Sequence, residues 1–191
     1  MKPKKLFLAA VGAMSLMAFT SSSASATTLE LNGVTQNQPV LIEATITSGN
    51  SAVLSKTSGD LGNFCTSSTI AGSTSVYTGT KVTGALGTMG LLGCLYSITV
   101  HKKGQLYIEH EAGSTGGVVY SENAEVTSGT AFGFTVNCKT ESGTKVGTLN
   151  GVAAGRQTFV LNAVLNCGFL LPSATYKGTY TVTTEGLGVS A

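Results

Sequence analysis

Tryptophan is absent from this chain of 191 residues, proline occurs only three times, and charged residues make up 10% of it. Charge this sparse, beside a hydrophobic content of 42%, excludes a disordered polyelectrolyte. A helical bundle is excluded because it would need far more alanine, leucine, glutamate and lysine. The 25 glycines have no three-residue period, which excludes collagen. A small, β-rich globular protein remains.

The first 26 residues have the features of a secretory signal peptide. Three lysines among the first five residues precede an apolar run of 14 residues, 6–19, and a small polar segment then ends in Ala24-Ser25-Ala26. This order predicts cleavage after Ala26. A membrane anchor is the alternative, but 14 apolar residues are too few to span a bilayer comfortably, and no second run of spanning length follows. We therefore expect a protein that is secreted or at the cell surface, with no membrane span after cleavage.

The mature chain carries almost no net charge. Three of the 11 basic residues lie in the signal, whereas all nine acidic residues follow it, so the formal net charge of the mature chain is −1. Binding to nucleic acid or to an anionic membrane needs a basic patch, and the sequence offers none. We expect no nucleic-acid partner.

Residues 27–191 have the patterns of β-strands separated by turns. Threonine, valine, tyrosine and phenylalanine favour strands, and glycine favours the turns between them. Apolar and polar residues alternate over residues 40–46, 106–109, 157–165 and 180–183, as in strands with one buried face. No convincing helical period follows the signal. The pattern predicts an all-β protein, either a β-sandwich or a partly open barrel.

Four cysteines give the clearest organisation of the chain. They are Cys65, Cys94, Cys138 and Cys167. The first two are 29 residues apart, and so are the last two. A shift of 73 residues superimposes the two pairs, and the aligned stretch of 45 positions contains seven identities. This self-similarity indicates a tandem duplication, with related β halves at 27–110 and 111–191. A chance match in a chain rich in threonine and glycine is the alternative. We expect the halves to share one core, and two separate small domains are the alternative.

A duplicated unit should repeat its own disulfide. That logic selects Cys65–Cys94 and Cys138–Cys167 from the three possible pairings, and secretion makes their oxidation plausible. A zinc site is the rival interpretation, but the cysteines are far apart in the sequence rather than in C-x-x-C pairs. We expect two disulfides, each closing a loop of about 30 residues.

The strands after the second cysteine of each half should also correspond. Each follows a Lys-Gly dipeptide, Lys103-Gly104 or Lys177-Gly178, which predicts a turn leading into a strand. Because side chains alternate between the faces of a strand, one set should face the core and Tyr107 and Thr181 should face outward or toward another layer. The set expected to face the core is Leu106, Ile108, Tyr180 and Val182.

Residues with catalytic or metal-binding chemistry are few and scattered. His110 lies between Glu109 and Glu111, but on a strand it points away from both neighbours. No Gly-x-Ser-x-Gly elbow occurs, and the glycine run at 84–90 lacks the Lys-Ser/Thr of a phosphate-binding loop. Nothing in the sequence pairs acidic residues as a glycosidase would need. The acids considered are Glu43, Asp60, Glu122 and Glu141. We predict no catalytic, cofactor-binding or metal-binding residue and no enzyme activity.

Six tyrosines are the remaining candidates for ligand contact. Exposed on one surface they could stack on a sugar, although packing within or against the sheet is the more ordinary role for a tyrosine. They are Tyr77, Tyr96, Tyr107, Tyr120, Tyr176 and Tyr180.

Four segments of the mature chain resemble small secreted proteins of soil actinobacteria. The segments are residues 26–30 (ATTLE), 33–36 (GVTQ), 149–153 (LNGVA) and 161–174 (LNAVLNCGFLLPSA). That group has no assigned activity, so the resemblance implies a compartment and a class but no site residues. A fainter similarity, to secreted alkane-oxidation activator proteins, consists of a signal peptide, strands rich in threonine and glycine, and widely spaced cysteines.

We expect a non-catalytic extracellular β module for surface interaction or assembly, whose partner is a cell-surface component, a glycan or another copy of the chain. A carbohydrate- or small-ligand-binding module is the second hypothesis, and an enzyme with an unrecognised site is the third. A concave patch of tyrosines and acids would favour the second, and two carboxylates facing across a cleft the third. Flat faces with open strand edges would favour the first.

Overall fold

The computed structural model describes residues 26–56, 62–151, 155–169 and 171–191. These residues form strands and connections, and none of them forms a helix long and apolar enough to cross a bilayer. The strands are β1 (Thr27–Leu31), β2 (Val34–Thr35), β3 (Leu41–Ile46), β4 (Ala52–Lys56), β5 (Asn63–Val76), β6 (Thr78–Gly79), β7 (Val82–Cys94), β8 (Ile98–Lys102), β9 (Gln105–His110), β10 (Gly117–Glu122), β11 (Glu125–Gly129), β12 (Thr135–Lys139), β13 (Thr144–Asn150), β14 (Thr158–Asn166), β15 (Ser173–Val182) and β16 (Leu187–Ser190).

Eight strand positions close into an antiparallel barrel. Around the ring, β5 pairs with β7, followed by β9, β10, β13, β14 and β15. Both β3 and β4 then lie between β15 and β5. They pair with different parts of these two strands, so together they fill the eighth position. The expected all-β, disulfide-bridged class is confirmed. Of the two architectures considered, the structure has the barrel, which is closed, and the sandwich is not confirmed.

The period-two pattern of the sequence decides which side chains fill the barrel. On β14, Phe159, Leu161, Ala163 and Leu165 are buried, while the residues between them are exposed or half-buried. The neighbouring β15 buries Tyr180, which is fully covered. Residues from both predicted halves contribute to one hydrophobic cluster. The barrel therefore encloses one core, built from alternate residues of its strands.

Two further sheets attach to the barrel. The first, which we name the side sheet, consists of β8, β11 and β12, and joins the barrel through one pair of residues, Lys139 of β12 and Asn166 of β14. The second, which we name the cap, consists of β16, β1, β2 and β6. The cap buries Leu29, Leu187 and Val189 almost completely. Its apolar side chains cover one end of the barrel, because Leu187 also lines the barrel interior.

The two Lys-Gly dipeptides adopt different structures, and one of the expected turns is wrong. Gly104 has a φ of +73° and makes the turn between β8 and β9. Gly178 instead lies inside the continuous strand β15, with Lys177 paired on both sides. A Cβ at Gly178 would lie 2.8 Å from the ring of Tyr180, so glycine leaves the space that this buried ring occupies. In the second half the dipeptide serves packing within a strand.

Disulfides join Cys65 to Cys94 and Cys138 to Cys167, the pairs that the equal spacing predicts. The first bond connects residues directly opposite each other on β5 and β7. The second connects β12 of the side sheet to the residue that follows β14. Both bonds lie toward the end of the barrel away from the cap.

Candidate ligand-binding cavity

Two cavities occupy the interior of the barrel. The upper cavity, near the cap, has a volume of about 90 Å³, and the lower cavity, near the side sheet, has a volume of about 70 Å³. The upper cavity is lined by residues that include Ile42, Ala44, Val82, Ile108, Val119 and Val182. The lower cavity is lined by residues that include Leu54, Met89, Leu91, Ile98, Val126 and Leu165. Both walls are predominantly aliphatic.

Four side chains form a waist between the two cavities. Ile70, Leu86, Leu106 and Phe159 line both of them. Leu86 and Leu106 are only partly buried, whereas Phe159 and Ile70 are buried. One ligand could occupy both cavities only if rotation of the Leu86 and Leu106 side chains widened the waist.

The hydroxyl groups of the interior bond to one another. The hydroxyl of Tyr180 shares hydrogen bonds of 2.9 Å with Ser68 and with Tyr176. Burial raises the pKa of Tyr176 well above the usual value, and the neighbouring Tyr180 raises it further. Burial also raises the pKa of Tyr180, against the opposing effect of its two hydrogen bonds. These hydroxyls stay protonated at neutral pH, so the interior presents an uncharged surface.

A second hydroxyl pair lies beside the lower cavity. The side chains of Ser121 and Thr140 are 3.3 Å apart, and the Thr140 hydroxyl also accepts a hydrogen bond from the backbone N–H of Ala124. Since buried polar groups that are paired offer little to a polar ligand, the interior favours an apolar one.

The barrel wall has a seam where β7 loses its neighbour. β9 pairs with β7 only from Val82 to Ala85. Among the described residues, Thr88 to Cys94 pair with β5 alone, and β8 is the outermost strand of the side sheet. We name these two facing strand edges the seam. Lys103 crosses its upper end, where the ammonium group donates to the carbonyl oxygen of Gly87.

The seam ends at a group of polar contacts near the first disulfide. The side-chain amide of Asn63 donates to the carbonyl of Tyr96 at 2.8 Å and accepts from the Tyr96 N–H at 3.0 Å. Asn63 is buried and also bonds to the hydroxyl of Ser128 on the side sheet. These bonds fix the connection between β7 and β8, so the seam has a defined lower end.

The histidine and acidic residues considered from the sequence do not come together. His110 bonds through Nε2 to the carbonyl of Ser114 at 2.8 Å. Glu122 pairs with Lys81 at 3.7 Å, and Glu141 accepts a hydrogen bond from Asn166. Asp60 lies outside the described residues. Within the described ranges, nowhere do three or more histidine, cysteine or carboxylate side chains gather as a metal site would require.

The tyrosines divide between the two faces of the barrel wall. Tyr107 and Tyr120 stack on its outer face, with ring centroids 4.9 Å apart, and Lys81 lies 3.8 Å above the Tyr107 ring. Burial and the Glu109 carboxylate raise the pKa of both. Tyr107 is only 8% exposed, so the ring expected to face outward is covered there by Lys81 and Tyr120. Little of this pair is open to a sugar.

Sequence reasoning did not find the cavities. The glycine run at 84–90, considered as a phosphate loop, lies in β7, where Gly84 and Ala85 line the upper cavity beside Gly72. Glycine inside a strand marks close approach of another backbone or a ligand, so these glycines were the sequence feature that could have indicated the cavity. Comparison with known proteins finds no match: no family model, no curated protein and no solved structure is similar to this chain.

Proposed function

We propose that the mature chain is a secreted, non-catalytic β-barrel module that binds a small apolar ligand in its interior. The observation that carries the proposal is the pair of aliphatic cavities joined at a waist of four side chains. Barrels of eight strands are just wide enough to hold one small ligand. The signal sequence and the two disulfides support an extracellular place of action.

The cavity volumes set the size of the ligand. An apolar cavity of about 150 Å³ is enough to bind a six-carbon ring, and the two cavities, of about 90 and 70 Å³, reach that size only when the waist between them is open. A ligand of about eight carbons would gain roughly 0.8 kcal/mol for each methylene group removed from water. The gross gain of about 6 kcal/mol is an upper limit to the binding free energy, because the cost of association is subtracted from it.

Calorimetric titration of the oxidised mature protein with 1-octanol tests the proposal. We expect saturable binding at a stoichiometry of one, lost when Ala163→Val adds two methyl groups inside the lower cavity. Val164→Leu is the matched control, because Val164 is 55% exposed on the outer face of the same strand. Binding that is absent in the wild type, or undiminished in a folded Ala163→Val variant, contradicts the proposal.

The strand pairings support the origin of the barrel in two related halves. The last barrel strand of each half pairs with the first barrel strand of the other, β9 with β10 and β15 with β3. In each half, the strand that carries the first cysteine also pairs with the strand before it, as β5 does with β4 and β12 with β11. The four strand positions of the first half therefore follow one another around the ring in the same order as the four of the second half.

Self-association is a second candidate function, favoured by exposed aromatic side chains on the side sheet. Phe132 and Phe134, at the turn between β11 and β12, are 67% and 40% exposed, and their rings stack 6.1 Å apart. Exposed apolar groups of this kind often mark interaction sites. Sedimentation of the wild type and of a Phe132→Ser, Phe134→Ser variant tests this, since a monomer at all concentrations contradicts it.

A further inference from the structure

One charged residue lines the two cavities. Every other side chain that the structure places along their walls is apolar or uncharged, and Lys103 alone carries a charge there. Lys103 is itself exposed and lines the lower cavity, so its ammonium group lies where that cavity meets solvent. No described carboxylate lines either cavity to neutralise it.

The seam borders the lower cavity. Met89 and Leu91 of β7 and Ile98 of β8 line the lower cavity, and all three are partly exposed. They lie on the two strand edges that no ladder joins within the described chain. Entry of an apolar chain between β7 and β8 would therefore break no strand pair of the described chain, and Lys103 stands at the upper end of that path.

The second half has no such opening at the corresponding lysine. Lys177 lies within the continuous strand β15, paired to Asn162 on one side and to Val53 on the other. In the first half the chain turns at Gly104, and β8 leaves the barrel to pair with β11. The equivalence of the two dipeptides thus fails at the seam, where Lys103 carries a charge that no described carboxylate neutralises.

From this arrangement we propose that the ligand is an anionic amphiphile of medium chain length, such as a carboxylate of about eight carbons. Its head group binds the ammonium group of Lys103, and its chain passes through the seam into the lower cavity and across the waist. This inference rests on the proposed function, because it specifies the ligand of the same interior. The ammonium group has three N–H donors and uses one on Gly87, so two remain for an anion.

The nearby lysine provides a control for the charge. Lys102 is the preceding residue, and its ammonium group lies 3.1 Å from the carboxylate of Glu125. It does not line either cavity. Lys102→Met therefore removes the same charge at the neighbouring residue, the last of β8, without altering the cavity lining, and Lys103→Arg keeps a cation at the entrance.

The experiment measures the binding of octanoate, 1-octanol and octylammonium to the oxidised mature protein by calorimetry. We expect octanoate to bind more tightly than octylammonium. We expect Lys103→Met to weaken octanoate binding about tenfold more than it changes 1-octanol binding. Lys102→Met and Lys103→Arg should both retain the preference for octanoate.

The outcomes separate this inference from the proposed function. If 1-octanol binds and Lys103→Met leaves octanoate binding unchanged, the inference is overturned while the apolar cavity stands. Tighter binding of octylammonium than of octanoate overturns it as well. If none of the three compounds binds, both the inference and the proposed function are overturned. Because Lys103 is exposed, the Lys103→Met variant is expected to fold as the wild type does.

Discussion

Cys138 is joined by a disulfide to Cys167 across β12 and β14, two strands that otherwise share one pair of residues. The side sheet is therefore held to the barrel by this covalent bond together with side-chain contacts such as the hydrogen bond from Asn63 to Ser128. Val126 of the side sheet and Cys138 itself line the lower cavity. By contrast, Cys65 and Cys94 lie on β5 and β7, which pair along most of their length. The two disulfides close loops of equal length but have different structural roles.

Removing the disulfides one at a time should reveal this difference. Replacing either pair by serine should lower the free energy of unfolding by about 3–4 kcal/mol, because each loop spans 29 residues. Hydrogen exchange should speed up across β11 and β12 in the Cys138→Ser, Cys167→Ser variant, and much less there in the Cys65→Ser, Cys94→Ser variant. Non-reducing peptide mapping of the wild type should first show the two sequential pairs. Equal protection of β11 in both variants would contradict the assigned role.

Two substitutions test the facing of β9 and β15. Ile108 lines the upper cavity, so Ile108→Ala should cost about 2 kcal/mol, the low end for a core isoleucine, because its side chain is only partly buried. Thr181 lies on the outer face of β15, where its hydroxyl shares a hydrogen bond of 2.9 Å with Thr47. Thr181→Ala should cost about 1 kcal/mol or less. Urea denaturation measures both, and a larger loss for Thr181→Ala would show that the strand register is wrong.

The turn at the seam requires glycine. Gly104 has a φ of +73°, and a Cβ there would overlap the carbonyl oxygen of Glu122, so Gly104→Ala should cost about 2 kcal/mol or more. Gly90 is the control, because the nearest atom to a Cβ at that position, on Thr69, would lie 3.9 Å away. Gly90→Ala should change stability by less than about 1 kcal/mol. Thermal unfolding of the two variants gives the comparison.

Alkaline pH should destabilise the barrel through its buried tyrosines. The pKa of Tyr176 and of Tyr180 is raised in the folded state, so the unfolded chain loses these protons first as the pH rises. Their contribution is fully present below the unfolded-state pKa of about 10 and is lost as the pH rises toward the higher folded-state values. Tyrosinate absorbance should show two tyrosines that ionise only on unfolding. In the Tyr176→Phe variant, only one tyrosine should ionise in this way.

The signal cleavage predicted after Ala26 would leave the first strand intact. β1 begins at Thr27, which is 1% exposed and bonds through its hydroxyl to the carbonyl of Thr80 and to the N–H of His110. Mass spectrometry of the protein from culture medium should show a chain that begins Thr27-Thr28. A mature terminus several residues further along would remove part of β1 and is not expected.

The sequence predicted the strands better than their arrangement. Alternation along 157–165 identified the buried face of β14, because a strand with one buried face shows this period locally. The two Lys-Gly dipeptides show that the same local sequence can adopt two different structures. Gly104 is fixed by the backbone near Glu122, whereas Gly178 makes room for the ring of Tyr180. These neighbours are brought there by the tertiary structure, so identical dipeptides became a turn and a strand interior.

The candidate site was missed for a related reason. A search for histidines, paired acids and grouped tyrosines detects side chains that carry chemistry, whereas the cavities arise where side chains are small or missing, as at Ala44, Gly72 and Gly84. Empty space depends on how residues from distant strands meet, and no local pattern encodes it. The position of Lys103 beside the lower cavity follows from the strand partners of β7 and β8, which the sequence did not predict.

The cap sets the order of events during export. It joins β1 to β16 through pairs such as Thr28 with Ser190, so the beginning and the end of the mature sequence must meet before it exists. A chain that crosses a membrane with its amino terminus first delivers β16 last, and contacts this distant in sequence form slowly. Until then Leu29 has no cover from Leu187 or Val189. If the chain is exported as its signal sequence predicts, the barrel passes through a stage that is open at the cap end, and completion of the cap leaves the seam as the entrance that we propose for the ligand.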